Sequence, residues 1–163
     1  VNVDQTDCNA NGTPDVCEIA SGAASDCNSN GIPDECEADC NGNGTPDDCD
    51  IASGSSLDTN NNGTPDECET QFLRGDANAS GNVNVTDPIF ILQYVIGTGP
   101  VPSCLESANV NNDAQSQVDI TDVIYLLNYL FLAQTPPAEP VASCGIDPAG
   151  DSVLGCESFS NCP

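Results

Sequence analysis

The sequence predicts two unlike parts: mostly irregular tandem loops with few regular elements over residues 1–70, then a small all-α module over residues 71–163 in which a loop and a helix occur twice. Three observations predict it. A twelve-residue frame rich in Asp, Asn and Gly recurs in register; two apolar segments of matching sequence follow only after Phe72; and eleven cysteines stand in a chain of 163 residues with only 4% aromatics. Cross-links must therefore do much of what a core does in other chains of this length.

The frame is clearest in DCNANGTPDVCE, residues 7–18. Oxygen-bearing side chains take the first, third and fifth places (Asp7, Asn9, Asn11), glycine the sixth, Asp15 the ninth and Glu18 the twelfth. That is the pattern D-x-[DN]-x-[DN]-G-x5-E of a calcium loop. A hard cation takes six to eight oxygens, the chain turns sharply at the sixth place to wrap it, and the seventh residue, Thr13, contributes a backbone carbonyl. The frame returns as Asp26, Asn28, Asn30, Ile32, Asp34 and Glu37, and again as Asp39, Asn41, Asn43, Thr45, Asp47 and Asp50. A fourth copy has Asp58, Asn60, Asn62, Thr64, Asp66 and Glu69, and a fifth has Asp76, Asn78, Ser80, Asn82, Asn84 and Asp87. Asn and Asp also make ordinary turns, but turn chemistry alone does not account for five copies in register.

Charge points the same way. With 26 acidic residues, one basic residue (Arg74) and no histidine, the formal net charge is -25. Nucleic acid and anionic membrane surfaces, which need Lys and Arg, are excluded as partners. Six divalent ions would cancel roughly half of the charge. Catalysis is not expected: the acids are already committed to loops, and the chain has no histidine or lysine and no nucleophile paired with a base.

The cysteines read as a disulfide framework and an oxidising, extracytoplasmic setting; zinc is excluded because there is no CxxC pair and no histidine. No run is long enough to span a membrane. The chain begins at Val1 and contains no methionine, so a processed product that has lost its export signal is expected.

The first four loops are joined by IASGAAS, by Ala38 alone and by IASGSSL. These connections leave no room for the two helices that flank an ordinary calcium hand, so the segment is expected to be a string of metal-wrapped turns. Val16, Ile19, Ile32, Ile51 and Leu57 are expected to make small contacts rather than a core, and the prolines at the eighth places (Pro14, Pro33, Pro46, Pro65) to stiffen extended residues. Ordering costs roughly 1 to 2 kcal/mol per residue, and metal and disulfides must offset it. Cysteines hold the second and eleventh places of the first three loops; the fourth keeps Cys68 but has Thr59 at the second. Pairing within loops would orphan Cys68, whereas pairing from each loop to the next (Cys17 with Cys27, Cys36 with Cys40) would orphan Cys8, Cys49 and Cys68; the sequence does not choose between them. The Asn-x-Ser/Thr sequons at Asn11, Asn43, Asn62, Asn78 and Asn84 coincide with proposed ligands and are read as incidental.

Over roughly residues 7–69 the string resembles the thrombospondin type-3 repeat, a calcium-dependent array of aspartate-rich loops. The resemblance implies an extracellular spacer stiffened by calcium. Asn at the third and fifth places departs from it and lowers the charge around each ion.

DPIFILQYVIG after the fifth loop superposes on DVIYLLNYLFL from Asp122, an internal duplication predicting two helices, each buried on more than one side. Glycines 97 and 99 end the first, and Pro136 and Pro137 stand beyond the second. Loop plus helix, twice, over about residues 72–133, resembles a dockerin. In the second loop Asn109, Asn111, Asp113, Asp119 and Asp122 take the ligand places, with Ala114 at the turn and two extra residues within 115–117, making it the weakest of the six for calcium. The resemblance implies that Val85 and Thr86, or Ile120 and Thr121, meet a cohesin-like partner; the residues by themselves also suit helix starts. The tail's Cys144, Cys156 and Cys162 can make two bridges with Cys104, and Val153, Leu154 and Phe159 are expected to cover the helices.

The expectation is thus a disulfide- and metal-stabilised chain carrying about five to six calcium ions: a non-catalytic extracellular stalk, surface or fibre component that self-associates, or alternatively a dockerin-type module binding a cohesin-like protein.

Overall fold

The computed structural model describes residues 6–113, 117–148 and 154–162. Ala114 and Val153, both given roles above, lie outside them. The chain divides into two compact units, Val1–Glu69 and Thr70–Pro163. Among the described residues it is mostly irregular, with five short α-helices, no strand and five disulfides.

In the first unit each eighth-place proline is extended (φ -61° and ψ 141° at Pro14) and opens a helical segment. After the first and third loops that segment is a helix, α1 (Asp15–Ser21) and α2 (Asp47–Ser53). After the second and fourth it is a single 3-10 turn, Asp34–Cys36 and Asp66–Cys68. Connector length decides which. Ile-Ala-Ser-Gly follows the first and third loops, so the helix runs on until Gly22 or Gly54 turns left-handed at its C-cap. Ala38 alone leaves no chain for a further turn. The expectation of no helix here was therefore too strict: half the loops carry one of seven residues.

The disulfides overturn both pairings considered from sequence. They join Cys8 to Cys36, Cys27 to Cys49 and Cys40 to Cys68, each running from the second place of one loop to the eleventh place of the next. Sequence separations of 28, 22 and 28 give Cα–Cα distances of 6.1, 6.3 and 6.0 Å. The long connectors have six residues more than Ala38; three of each connector lie in α1 or α2 and the rest in the turn that begins at Gly22 or Gly54, and the second-to-eleventh register is the same at all three junctions. Cys17, exposed, is the cysteine left free. Among the described residues of this unit the buried apolar groups are few: Cys49 and the rings of Pro33, Pro46 and Pro65. Val16, Ile32 and Leu57 are exposed.

In the second unit α3 (Thr86–Val95) packs on α5 (Ile120–Leu132). Ile91, Val123 and Leu126 from the helices join Ala77, Ala108 and Val110 in the core, the last two from and beside the short α4 (Leu105–Ala108). The helices were expected to be buried on more than one side. They bury one stripe only: Ile89, Ile124, Phe131 and Leu132 are at least half exposed. The tail corrects a second expectation, since Phe159 packs not on the helices but with Phe72, Leu73 and Cys104, pinned by Cys104–Cys156 and Cys144–Cys162. Arg74, the chain's single cation, is wholly buried there. It donates to the carbonyl oxygens of Glu106 and Asn109 at 3.1 and 2.8 Å, pairs with Glu106 and Asp147, and lies over the Phe72 ring.

Leu126 is fully buried, so Leu126→Ala should destabilise the second unit by about 2 to 5 kcal/mol. All three tyrosines lie in this unit, so urea unfolding followed by tyrosine fluorescence reads it directly; an unmoved midpoint would contradict the packing described.

Candidate metal centres

The first four loops are built by the same hydrogen bonds. The first-place aspartate folds the chain over itself: Asp7 Oδ1 accepts from Asn11 N at 3.1 Å and Oδ2 from Gly12 N at 2.8 Å, and Asp26, Asp39 and Asp58 repeat both bonds. Asn at the third place accepts from the fifth N–H, and Asn at the fifth accepts from the seventh, as in Asn9, Asn11 and Thr13. The ninth-place acid closes the loop, with Asp15, Asp34, Asp47 and Asp66 each accepting from the second-place N–H at 2.8 to 3.0 Å. The twelfth-place carboxylate turns inward and takes the fifth-place amide: Asn11 to Glu18 and Asn30 to Glu37 at 2.6 Å, Asn43 to Asp50 at 2.6 Å, Asn62 to Glu69 at 2.8 Å. Glycine at the sixth place has φ near +90°, for example 91° at Gly12 and 88° at Gly31, a conformation other residues rarely adopt.

A feature that sequence reasoning missed lies at the fourth place, which is left-handed in every loop: Ala10, Ser29, Gly42, Asn61, Ala79 and Asn112. Only the mixture of Ala, Ser, Asn and Gly at that place hinted at it, and Ala and Ser are not residues that signal positive φ.

The two loops of the second unit share the bonds of their third and twelfth places. The twelfth-place carboxylate bridges the loop ends: Asp87 accepts from Asn78 N and Asn84 N at 3.4 and 2.8 Å, and Asp122 from Asn111 N and Asp119 N at 3.1 and 2.9 Å. Asn78 donates to Thr86 Oγ1 and Asn111 to Thr121 Oγ1, at 2.9 and 2.8 Å. Ser80 bonds Asp76 through both N and Oγ, and Asn82 offers its carbonyl oxygen to Ser80 and Asn84. In the other loop Asn111 bonds Asp113, and Asp119 caps α5 in a reciprocal capping box with Asp122. Hydrogen bonds thus link Asn111 to Asp113 and to Asp122, and Asp119 to Asp122; none of them involves the Asn109 side chain. Val85, Thr86, Ile120 and Thr121 are all exposed.

Whether these donors suit a cation can be judged from their burial. Asp76, Asp87 and Asp122 are wholly buried, with no basic side chain among the bonds described for them. Asn109 Oδ1 is buried and has no hydrogen-bond partner among the described residues; an orphaned amide oxygen at the first place fits a hard-cation ligand. Desolvation pushes Asp87 up to about 6, with the neighbouring Asp76 charge adding to it, and burial likewise raises Asp122. A carboxylate buried this way favours neutrality or a counter-cation. Two groupings of possible ligand atoms lying within 4.8 Å of one another, Cys27, Asp34 and Cys49, and Cys40, Asp47 and Cys68, offer only their aspartates, because the sulfurs are joined in disulfides and cannot act as thiolates. The donor set is all oxygen and fits calcium rather than zinc. Protein-family models, curated proteins and solved structures show no match to the chain.

The Asp87 shift sets a pH dependence. The unfolded carboxyl releases its proton near 3.8, the folded one near 6. The metal-free folded state holds more protons between those values, so this contribution is full below about pH 4 and lost as pH rises to about 6. In chelator, the stability of the parent relative to Asp87→Asn should fall across that window; a difference that rises, or stays flat, would contradict the burial described.

Proposed function

We propose that the chain is a non-catalytic, calcium-binding structural element of the extracellular space: a string of loops stiffened by calcium and disulfides, carried with a dockerin-like loop–helix pair, and able to self-associate as a stalk, surface or fibre component. The observation that carries this reading is the constant loop-to-loop register, in which each disulfide ties the second place of one loop to the eleventh of the next. Cross-links within loops would stiffen each turn and leave the string limp; cross-links between loops stiffen the string itself. The loop oxygens supply five or six hard-cation sites, and calcium bound there would neutralise carboxylates that otherwise repel one another. Five disulfides support an oxidising, extracytoplasmic location, and no described helix is long and apolar enough to cross a membrane. The likeness to thrombospondin type-3 repeats and to dockerins enters here as part of the proposal.

A second reading has its own observation. Val85 and Ile120, 46% and 47% exposed, occupy equivalent places in the two duplicated loops and stand beside the exposed Thr86 and Thr121. That pair of apolar side chains beside a hydroxyl, presented twice, would suit a cohesin-like partner bound in a calcium-dependent way.

Two measurements test these readings. Chelating calcium should abolish the ordered circular dichroism and protease resistance of residues 6–69 while the disulfides stay intact; unchanged spectra and cleavage would reject calcium as the stiffening agent. Size-exclusion chromatography with calcium separates the two roles. Assembly of the chain alone favours the structural element, and a monomer that captures a cohesin and loses it on Val85→Asp/Ile120→Asp favours docking.

A further inference from the structure

The string contains a second contact between loops besides the disulfide, and it also repeats three times. The third-place asparagine of one loop donates its amide to the tenth-place acid of the next: Asn9 to Glu35, Asn28 to Asp48 at 2.6 Å, and Asn41 to Glu67 at 3.3 Å. The tenth place is not a ligand place in the calcium frame. The three acids are all exposed, yet each reaches the same atom of the preceding loop. The first and fifth loops have valine there, Val16 and Val85; in the fifth, Asn78 turns to Thr86 of its own loop instead.

We propose that Glu35, Asp48 and Glu67 are positioning residues that set the orientation of the third-place amide in the preceding loop, so that its oxygen faces the ion. The argument rests on calcium being the occupant. An asparagine side chain has one end that donates and one that accepts, and only the accepting end can ligate a cation. A carboxylate only accepts, so it holds the nitrogen end. In the second loop Asn28 Nδ2 serves both Asp48 and Glu37, while Oδ1 accepts from Asn30 N at 2.9 Å and keeps a second lone pair. Partners of this kind, which orient a metal ligand without touching the metal, are general in metal sites. The contact also gives a reason for asparagine at the third place in these loops, where aspartate would add charge to the site: aspartate would set two carboxylates against each other across the loop boundary, at the distance now spanned by a hydrogen bond. Each of the first three loops thereby depends on its successor for ligand geometry, and Glu67 carries the series to the fourth loop, where Ser56 and Asn41 hold its carboxyl below the ordinary range, Ser56 the more strongly.

The test is a double-mutant cycle on the full chain with calcium as the probe. In 15N-labelled protein the amide of Gly31, bonded to Asp26 Oδ2, reports ion binding in the second loop, and that of Gly44, bonded to Asp39 Oδ2, reports the third loop as an internal control. Asp48→Ala should weaken calcium binding read at Gly31 by about tenfold and leave Gly44 within about twofold. Asn28→Asp has two equivalent oxygens that need no orienting, so in that background Asp48→Ala should leave the affinity at Gly31 unchanged or raise it. Equal weakening in both backgrounds would mean that Asp48 acts by charge or as a ligand itself, and would overturn the proposal, as would no change at Gly31 in the Asn28 protein. Parallel losses at Gly31 and Gly44 would point to damaged folding and overturn it too. If Gly31 in the parent does not respond to saturating calcium, it is the calcium reading that fails, and the proposal falls with it.

Discussion

The structure depends on one constraint: oxygen atoms with negative charge are brought together in six loops of a chain that holds a single cation, and that cation is spent elsewhere. Arg74 is enclosed by Glu106, Asp147, the Asn109 carbonyl and Phe72, so it screens none of the acids on the surface. The loops nonetheless close, because backbone N–H groups and asparagine amides stand in where basic side chains would serve in another protein. Asp7 takes two N–H bonds, and Glu18 takes the amide of Asn11. Hydrogen bonds of this kind shape the loop but do not cancel its charge, and on the reading proposed here a divalent ion does.

The cross-links and the loops divide the work. Closing segments of 22 and 28 residues by disulfides restricts the unfolded chain, a contribution on the order of 3 kcal/mol each. It does so with few buried apolar groups, Cys49 and three proline rings among the described residues of the first unit. The second unit has a modest core of its own around Ile91 and Leu126, and its loops sit against that core with Asp87 and Asp122 buried. The same loop chemistry therefore operates in two settings, in the string beside disulfides and proline rings and in the second unit against the helices, where burial raises the carboxyl pKa of Asp87 and Asp122.

Much of this was legible in the sequence because the loop frame is local. A ligand at the first, third, fifth, ninth or twelfth place is defined by positions a few residues apart, and the duplicated helices were visible as Ile89 matched to Ile124 and Leu92 to Leu127. Two things were not legible, for physical reasons. The disulfide pairing is a relation between loops, and counting along one loop cannot show that the seven-residue connector, folded as the end of α1 or α2 and the turn after it, and Ala38 lead to the same register. Burial of the helices was overread because apolar density does not say how many neighbours a helix has; packed on each other and on Ala77, Ala108 and Val110, α3 and α5 bury Ile91, Val123 and Leu126 and leave Ile89, Ile124 and Phe131 outside. The left-handed fourth place and the bond from the third-place asparagine to the next loop were likewise hidden, the first by Ala and Ser, which do not signal positive φ, and the second by lying across a loop boundary.

The most direct measurement is a count of bound ions by native mass spectrometry of the disulfide-intact chain in calcium. The account predicts five or six calcium ions per chain, with the site of Asn109, whose first place carries no charge, the last to fill. A protein that keeps its compact charge-state distribution with no calcium bound would contradict it.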